Sequence, residues 1–197
     1  MRRLVVAITG ASGALLGVEA LRRAAEVDDI ETHVIVTGSG LQTLHQETDL
    51  TFGDIRELAD HVHKNHDLAS ELASGSFQVD GMLVAPCSVT TLSSIANSYD
   101  ANLVVRAADV MLKERRPLVL LFRETPFHLG HIRLMEQVTM NGGIVMPPMP
   151  AFYLKPRTVE EIVEQTVGRA FDLLRMPLEH TRRWSGLEPP RREGADG

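Results

Sequence analysis

Several ingredients are scarce in this chain of 197 residues, and each scarcity excludes something. It has a single cysteine, Cys87, so no intramolecular disulfide can form, which fits a reducing, cytoplasmic setting. It has no excess of basic charge. The formal net charge is -6, whereas a general nucleic-acid binder presents a basic face. A small anion held by a few local cations stays compatible with that balance. No apolar run is long enough to span a bilayer, and no internal repeat is visible. The opening Met1-Arg2-Arg3 followed by apolar residues 4–8 imitates a signal peptide, but Thr9-Gly10-Ala11-Ser12-Gly13 interrupts it at once and Glu19, Arg22 and Arg23 follow. A buried first strand is the better reading.

What is present alternates. Apolar, β-branched runs at 4–8, 32–36, 81–86, 118–122 and 143–146 read as strands of a covered parallel sheet. Segments 14–26, 41–48, 55–59, 91–97, 103–113, 131–140 and 159–174 read as helices, the last opened by Thr158 with Glu161 three positions on, a capping-box pattern. Pro147-Pro148-Met149-Pro150 must be an irregular loop. Strands alternating with helices predict an α/β, Rossmann-like (flavodoxin-type) three-layer fold, in which ligands bind beyond the carboxyl ends of the strands. Residues 1–188 form one expected domain, and 189–197, charged and rich in Gly and Pro, a flexible tail.

The chemistry-bearing residues lie where that fold places a ligand. Gly10-Ala11-Ser12-Gly13 joins the first strand to the first helix, where glycine allows close backbone approach and a helix start favours an anion. The spacing is not Gly-x-Gly-x-x-Gly, because the next glycine is Gly17. The second strand ends Val36-Thr37-Gly38-Ser39, with no acid for a ribose diol. Hydroxyls there suit a phosphate better than a dinucleotide. Pro86-Cys87-Ser88-Val89-Thr90-Thr91 reads either as a capping loop or as a cradle for phosphate and sugar-alcohol oxygens, with Cys87 a buried structural thiol. Arg106, Lys113, Arg115, Arg116 and Arg123 form a basic stretch, of which Arg123-Glu124 stands at a strand end. His61, His63 and His66, and His128 with His131, do not match a familiar zinc spacing. They read as a polar helix end or loop, so no metal is expected.

Five segments taken in order carry a resemblance: Thr9-Gly10-Ala11-Ser12-Gly13-Ala14, Pro86-Cys87-Ser88, the run from Arg106-Ala107-Ala108-Asp109-Val110 through Leu112-Lys113-Glu114-Arg115-Arg116-Pro117, Arg123-Glu124-Thr125-Pro126, and Pro147-Pro148-Met149-Pro150-Ala151-Phe152-Tyr153. Together they resemble the flavin prenyltransferases of the UbiX type, over about residues 4–184. That resemblance implies an FMN-binding subunit, a dodecamer with sites between subunits, and transfer of the dimethylallyl group of dimethylallyl monophosphate to N5 and C6 of reduced FMN. The product serves UbiD-type decarboxylases, and no metal, membrane or nucleic-acid partner is implied. Gly10, Ala11, Ser12, Gly13, Thr37, Ser88, Val89, Thr90, Thr91 and Arg123 match FMN-binding positions. Lys113, Arg123, Tyr153 and Arg169, with Arg106, match positions around the substrate phosphate, and Trp184 a tryptophan at the prenyl site. Ser12, Glu47 and Glu124 match the polar groups around the reacting flavin.

There are two departures from the pattern. Thr37 stands where relatives often have serine, and Gly38 and Val89-Thr90 stand where a lysine often occurs. A rival reading, a flavin-dependent cysteine decarboxylase, would use a Pro-x-Met-Asn-x-x-Met-Trp motif, and the chain has none. A non-catalytic FMN carrier would have no need of Lys113, Glu124, Tyr153 and Arg169 as a set.

Overall fold

The chain begins in the middle of its own sheet. In the computed structural model, which describes residues 1–179, 181–183 and 186, the elements are β1 (Arg2–Ile8), α1 (Ala14–Ala25), β2 (Ile30–Val36), α2 (Gly38–Glu47), α3 (Phe52–Glu57), β3 (His61–Lys64), β4 (Gly81–Cys87), α4 (Val89–Ala96), α5 (Leu103–Lys113), β5 (Leu118–Phe122), α6 (Leu129–Met140), β6 (Ile144–Val145) and α7 (Val159–Leu173). Short 3-10 turns occur at Glu71–Ala73 and Phe152–Leu154. The strand order is β3-β2-β1-β4-β5-β6, and every neighbouring pair is parallel. From β1 the chain winds outward to β3, then returns to the other side of β1 with β4. The switch point, where such folds open a crevice, therefore lies at the carboxyl ends of β1 and β4.

Side-chain alternation divides the sheet's apolar residues between two cores. Leu4, Val6, Ile8, Leu83, Ala85, Val119 and Leu121 face the core shared with α1 and α7. Val5, Ala7, Met82, Val84, Leu118, Leu120 and Phe122 face the core shared with α4 and α5. Strands buried on both faces explain why the sequence shows continuous apolar runs rather than alternation. Gly17 sets the depth of α1 on the sheet. A Cβ there would lie 2.4 Å from the Ala85 carbonyl oxygen and 2.6 Å from Ile8 Cγ1. The three-layer parallel architecture expected from the sequence is what forms.

The differences are local and have causes. Residues 61–64, read as a polar helix end or loop, form the edge strand β3, with His61 opposite His33 and His63 opposite Ile35. Four residues with one apolar member carry too little periodicity to announce a strand. β3 also places histidines from two strands together around His33, which is buried. Burial, with His63 and His61 beside it, pushes the His33 imidazole down to about 4. α2 starts at Gly38, earlier than residue 41, because Thr37 Oγ1 accepts from the Gly40 N–H at 2.9 Å. α4 starts at Val89 because Ser88 is its cap. At α7 the Thr158 hydroxyl accepts from Glu161 N–H at 3.2 Å, while the Glu161 carboxylate reaches back to the Arg157 N–H at 2.7 Å. The expected reciprocal box is thus displaced by one residue on its return bond.

Candidate active site

The loops that follow β1, β2 and β4 are tied together at the switch point. Thr9, fully buried, makes the central tie. Its hydroxyl donates to the Pro86 carbonyl at 2.7 Å and accepts from the Ser88 N–H at 2.9 Å. The β1 and β2 loops touch directly, since a Cβ on Gly10 would lie 2.4 Å from Ser39 Oγ. Arg123 N–H donates to the Cys87 carbonyl at 3.1 Å, which brings the end of β5 to the same edge. Gly10, Ala11, Ser12, Gly13, Thr37, Ser88, Val89, Thr90, Thr91, Arg123 and Glu124 all belong to these strand ends and helix starts. Ser12, Thr90 and Arg123 are exposed along the rim, and Glu124 is half-buried.

The cap and cradle readings of these hydroxyls describe one geometry. Ser88 Oγ accepts from the Thr91 N–H at 3.2 Å and bonds Thr91 Oγ1 at 3.0 Å. Thr37 Oγ1 caps α2 and lies 3.3 Å from Ser39 Oγ. The hydroxyls therefore sit at the positive ends of α2 and α4, where an anion is favoured. Gly38, in the first turn of α2, faces open space. This donor set fits the phosphate and ribityl oxygens of FMN, and the missing lysine at Gly38 leaves room rather than a charge.

The start of α1 behaves differently from the expectation of an open anion site there. Gly13 takes a left-handed conformation (φ 104°) as the cap residue and provides no side-chain cap. The Glu47 carboxylate, at the end of α2, fills that role. It accepts from the Gly13 N–H at 2.9 and 3.1 Å and from the Ala14 N–H at 2.9 Å. Burial raises its affinity for a proton, but the Ser12 hydroxyl, the Ala14 and Gly13 N–H groups and the Arg123 charge outweigh burial and hold the carboxyl below its ordinary value. Glu47 is thus an ionised cap that orients Ser12 and lies within the field of Arg123. Cys87 is buried, and burial pushes its thiol strongly up, so it is no nucleophile.

Tyr153 and Arg169 are brought together elsewhere. They line a cavity of about 330 Å³ with Met146, Met149, Arg182 and Arg183. Asp172 braces the cations there, 3.7 Å from Arg169 Nη1 and 2.7 Å from Arg183 Nη2. None of the strand-end loop residues lines this cavity. The basic stretch on α5 divides again. Arg106 donates to the Ala73 carbonyl at 3.1 Å and pairs with Asp100 at 2.9 Å and Asp109 at 3.3 Å. Its guanidinium thus holds groups of its own chain. Lys113 pairs with Glu114 and ends α5 shortly before β5 starts at Leu118, which puts it at the opposite, amino edge of the sheet. Trp184 lies outside the described residues.

Sequence reading missed three contributors. Thr9 was seen only as part of a glycine-rich turn. Arg182 and Arg183 have no place in the sequence reading, although an Arg-Arg pair just before Trp184 is an available signal.

Comparisons with known proteins place the chain in a family. The family model described as Flavoprotein matches residues 1–170. Flavin prenyltransferase UbiX of Escherichia coli strain K12 is 49% identical over 188 residues, covering 94% of this chain and 100% of that protein. The crystal structure of AnUbiX (PadA1) in complex with FMN and dimethylallyl pyrophosphate superposes with a TM-score of 0.92 at 45% identity, over 95% of this chain and 99% of that one. That of a dodecameric FMN-dependent UbiX-like decarboxylase from E. coli O157:H7 gives 0.91 at 43%, over 93% and 100%. The chain belongs to the flavoprotein family and, within it, to the UbiX flavin prenyltransferases.

Proposed function

We propose that the chain transfers the dimethylallyl group of dimethylallyl monophosphate to N5 and C6 of reduced FMN, and that a UbiD-type decarboxylase in the cytoplasm receives the prenylated flavin. The observation that carries this is the hydroxyl-lined cup at the β1/β4 switch point, with Arg123 and Glu124 on its rim. Its phosphate-binding side consists of helix starts, and its carboxylate Glu47 is already engaged. Reduced FMN supplies two nucleophilic positions when bound.

The chain's own groups do the rest. Thr37, Ser88 and Thr91 at the positive ends of α2 and α4, with Arg123, hold phosphate oxygens. Ser12, oriented by Glu47, lines the flavin edge. A monophosphate leaves poorly without a metal, so fixed cations and a phenol must take its charge as it departs, and charge-assisted bonds in a dry site are the strongest available. Arg169 and Tyr153 already share one cavity, and Lys113 completes the set. Glu124 Oε1 accepts from the Thr125 N–H at 2.8 Å, which fixes the carboxyl and leaves the other oxygen to carry a proton. An allylic cation also needs shelter from water. Phe152 and Met149, 74% and 70% exposed in the single chain, supply apolar cover once another surface closes on them, with Trp184 joining from the C-terminal segment.

That closing surface is a second copy. In one chain the cup and the cavity are separate, and Lys113 lies at the far edge of the sheet, so a complete site requires neighbours. We therefore assign sites shared between copies, in a homododecamer such as the E. coli O157:H7 relative forms. Exposed Leu129, Ile132 and Met140 on α6 extend the apolar surface that assembly covers. Residues 1–188 act as the single domain of this unit, with 189–197 as its tail. Among the described residues, no helix is long and apolar enough to cross a membrane.

Anaerobic incubation with reduced FMN and dimethylallyl monophosphate, followed by mass spectrometry of the released flavin, tests the reading. Addition of one five-carbon prenyl unit is the expected result. Unaltered flavin would favour a carrier and defeat the proposal.

A further inference from the structure

The histidines of β2 and β3 are not used by the prenyl-transfer chemistry. Parallel register sets His33 beside His61, and the two-residue period of β2 puts Glu31 on the same face as His33. Glu31 Oε1 lies 3.0 Å from His61 Nε2 and 3.5 Å from His33 Nε2. The ligand atoms of all three fall within 4.8 Å of one another. Tetrahedral zinc with bonds of about 2.0–2.1 Å needs ligand atoms about 3.3 Å apart, so the two short separations straddle the required value.

Two further features distinguish this group from an ordinary surface ion pair. His33 is 1% exposed, yet its Nε2 has no hydrogen-bond partner. A buried polar atom without a partner is costly, and it points at the Glu31 carboxylate. The other ring nitrogen is already supported. His33 Nδ1 lies 2.9 Å from His63 Nε2, and His63 Nδ1 lies 3.0 Å from Ser70 Oγ. Such a chain fixes the tautomer of a ligating imidazole and leaves the outer nitrogen's lone pair for a metal. Glu31 is held the same way, because Arg3 Nε donates to Oε2 at 3.2 Å and leaves Oε1 to the site. His61, with a side chain 50% exposed, gives an entry path from solvent.

We propose that Glu31, His33 and His61 form a binding site for a divalent transition ion of the zinc class, separate from the flavin cup. Two imidazoles and one carboxylate favour zinc over magnesium or calcium, which take all-oxygen shells. Its effect is to fasten the short edge strand β3 to β2. β3 in turn places Asn65, whose carbonyl and side chain accept from the first N–H groups of α5 at 2.8 and 3.2 Å.

Chelator-stripped protein titrated calorimetrically with Zn²⁺ tests this. One ion per chain is expected, with a Zn²⁺-dependent rise in melting temperature. His61→Ala removes an exposed ligand without opening the core, and should lower the affinity at least about tenfold and abolish the thermal rise. His66→Ala, five positions further along the chain and outside the triad, should leave both unchanged. Stoichiometry well below one, or less than a tenfold loss in His61→Ala, overturns the proposal. Neither readout depends on prenyl transfer.

Discussion

The flavin cup and the cationic cavity are built on different terms. In the cup nearly every polar group has a partner within the chain. Thr9 ties two strand ends, Ser88 and Thr37 cap helices, and Glu47 closes the start of α1. In the cavity two of the lining arginines lean on one carboxylate, Asp172, and the neighbouring Phe152 and Tyr153 are 74% and 56% exposed. One half is finished by folding, and on the proposed reading the other is completed by assembly. Flavin binding should therefore survive damage that stops prenyl transfer, and the largest effects should come from residues where the two halves must meet.

In the proposed mechanism Glu124, on the rim of the cup, carries the proton that links the two. Glu124→Gln keeps the shape and the bond to Thr125 but cannot carry a proton. It should bind FMN normally and lose turnover by roughly 10²–10⁴-fold. Single-turnover formation of the four-ring flavin under anaerobic conditions measures this, and a wild-type rate would make Glu124 structural. Next in size are Arg169→Ala and Tyr153→Phe. In the proposed mechanism each removes one charge-assisted contact to the departing phosphate, worth about 2–4 kcal/mol in the transition state, with FMN retained. Wild-type kcat/KM in either variant would remove the cavity from the mechanism. If the halves join only between copies, light scattering on gel filtration should show a large closed oligomer, and a fully active monomer would break the comparison outright.

How far the sequence revealed this division follows from how each half is encoded. Strand-end loops announce themselves locally, because Gly10 to Gly13 and Pro86 to Thr91 each sit between an apolar run and a helix pattern. β5 and α5 were bounded correctly because Leu118–Phe122 and Leu103–Lys113 carry strong, uninterrupted patterns. β3 stayed hidden because His61–Lys64 is short and polar and is specified by pairing with β2 rather than by its own composition. Glu47 was picked out by family resemblance alone. No spacing rule links it to Gly13, 34 positions away, and its role as a cap appears only when α2 folds back on α1. The separation of Lys113 from Arg123 follows from those same bounds of α5 and β5, because the end of a helix and the end of the parallel strand that follows it lie at opposite edges of the sheet.

A smaller effect should come from the cup's hydroxyls. Ser88→Ala removes the α4 cap and one oxygen assigned above to the FMN phosphate. Loss of a cap costs about 1 kcal/mol, so FMN affinity and melting temperature should both fall modestly, while turnover at saturating FMN stays near wild type. Equal loss in turnover would mean that Ser88 acts on the reaction and not on binding.

The smallest predicted effect isolates Glu47. Its carboxylate accepts two backbone N–H groups at the positive end of α1, and its proton affinity lies below the ordinary value of 4.5. A carboxyl whose folded value is depressed stabilises the fold above its unfolded value, and that stabilisation is lost as pH falls through the folded one. Glu47→Gln keeps an oxygen for one N–H but turns an amide toward the others and deletes the charge. Helix-end charges at an exposed site contribute about 0.3–1 kcal/mol, so the variant should melt about 1–4 °C lower near neutral pH, at about 2–4 °C per kcal/mol for a domain of this size. The gap should narrow steadily as pH drops below 4.5, because the wild-type carboxyl then becomes neutral as well. Melting curves of both proteins across that range decide the matter. A gap that stays constant with pH would show that Glu47 stabilises α1 by shape alone, and its place beside Ser12 and Arg123 would then owe nothing to charge.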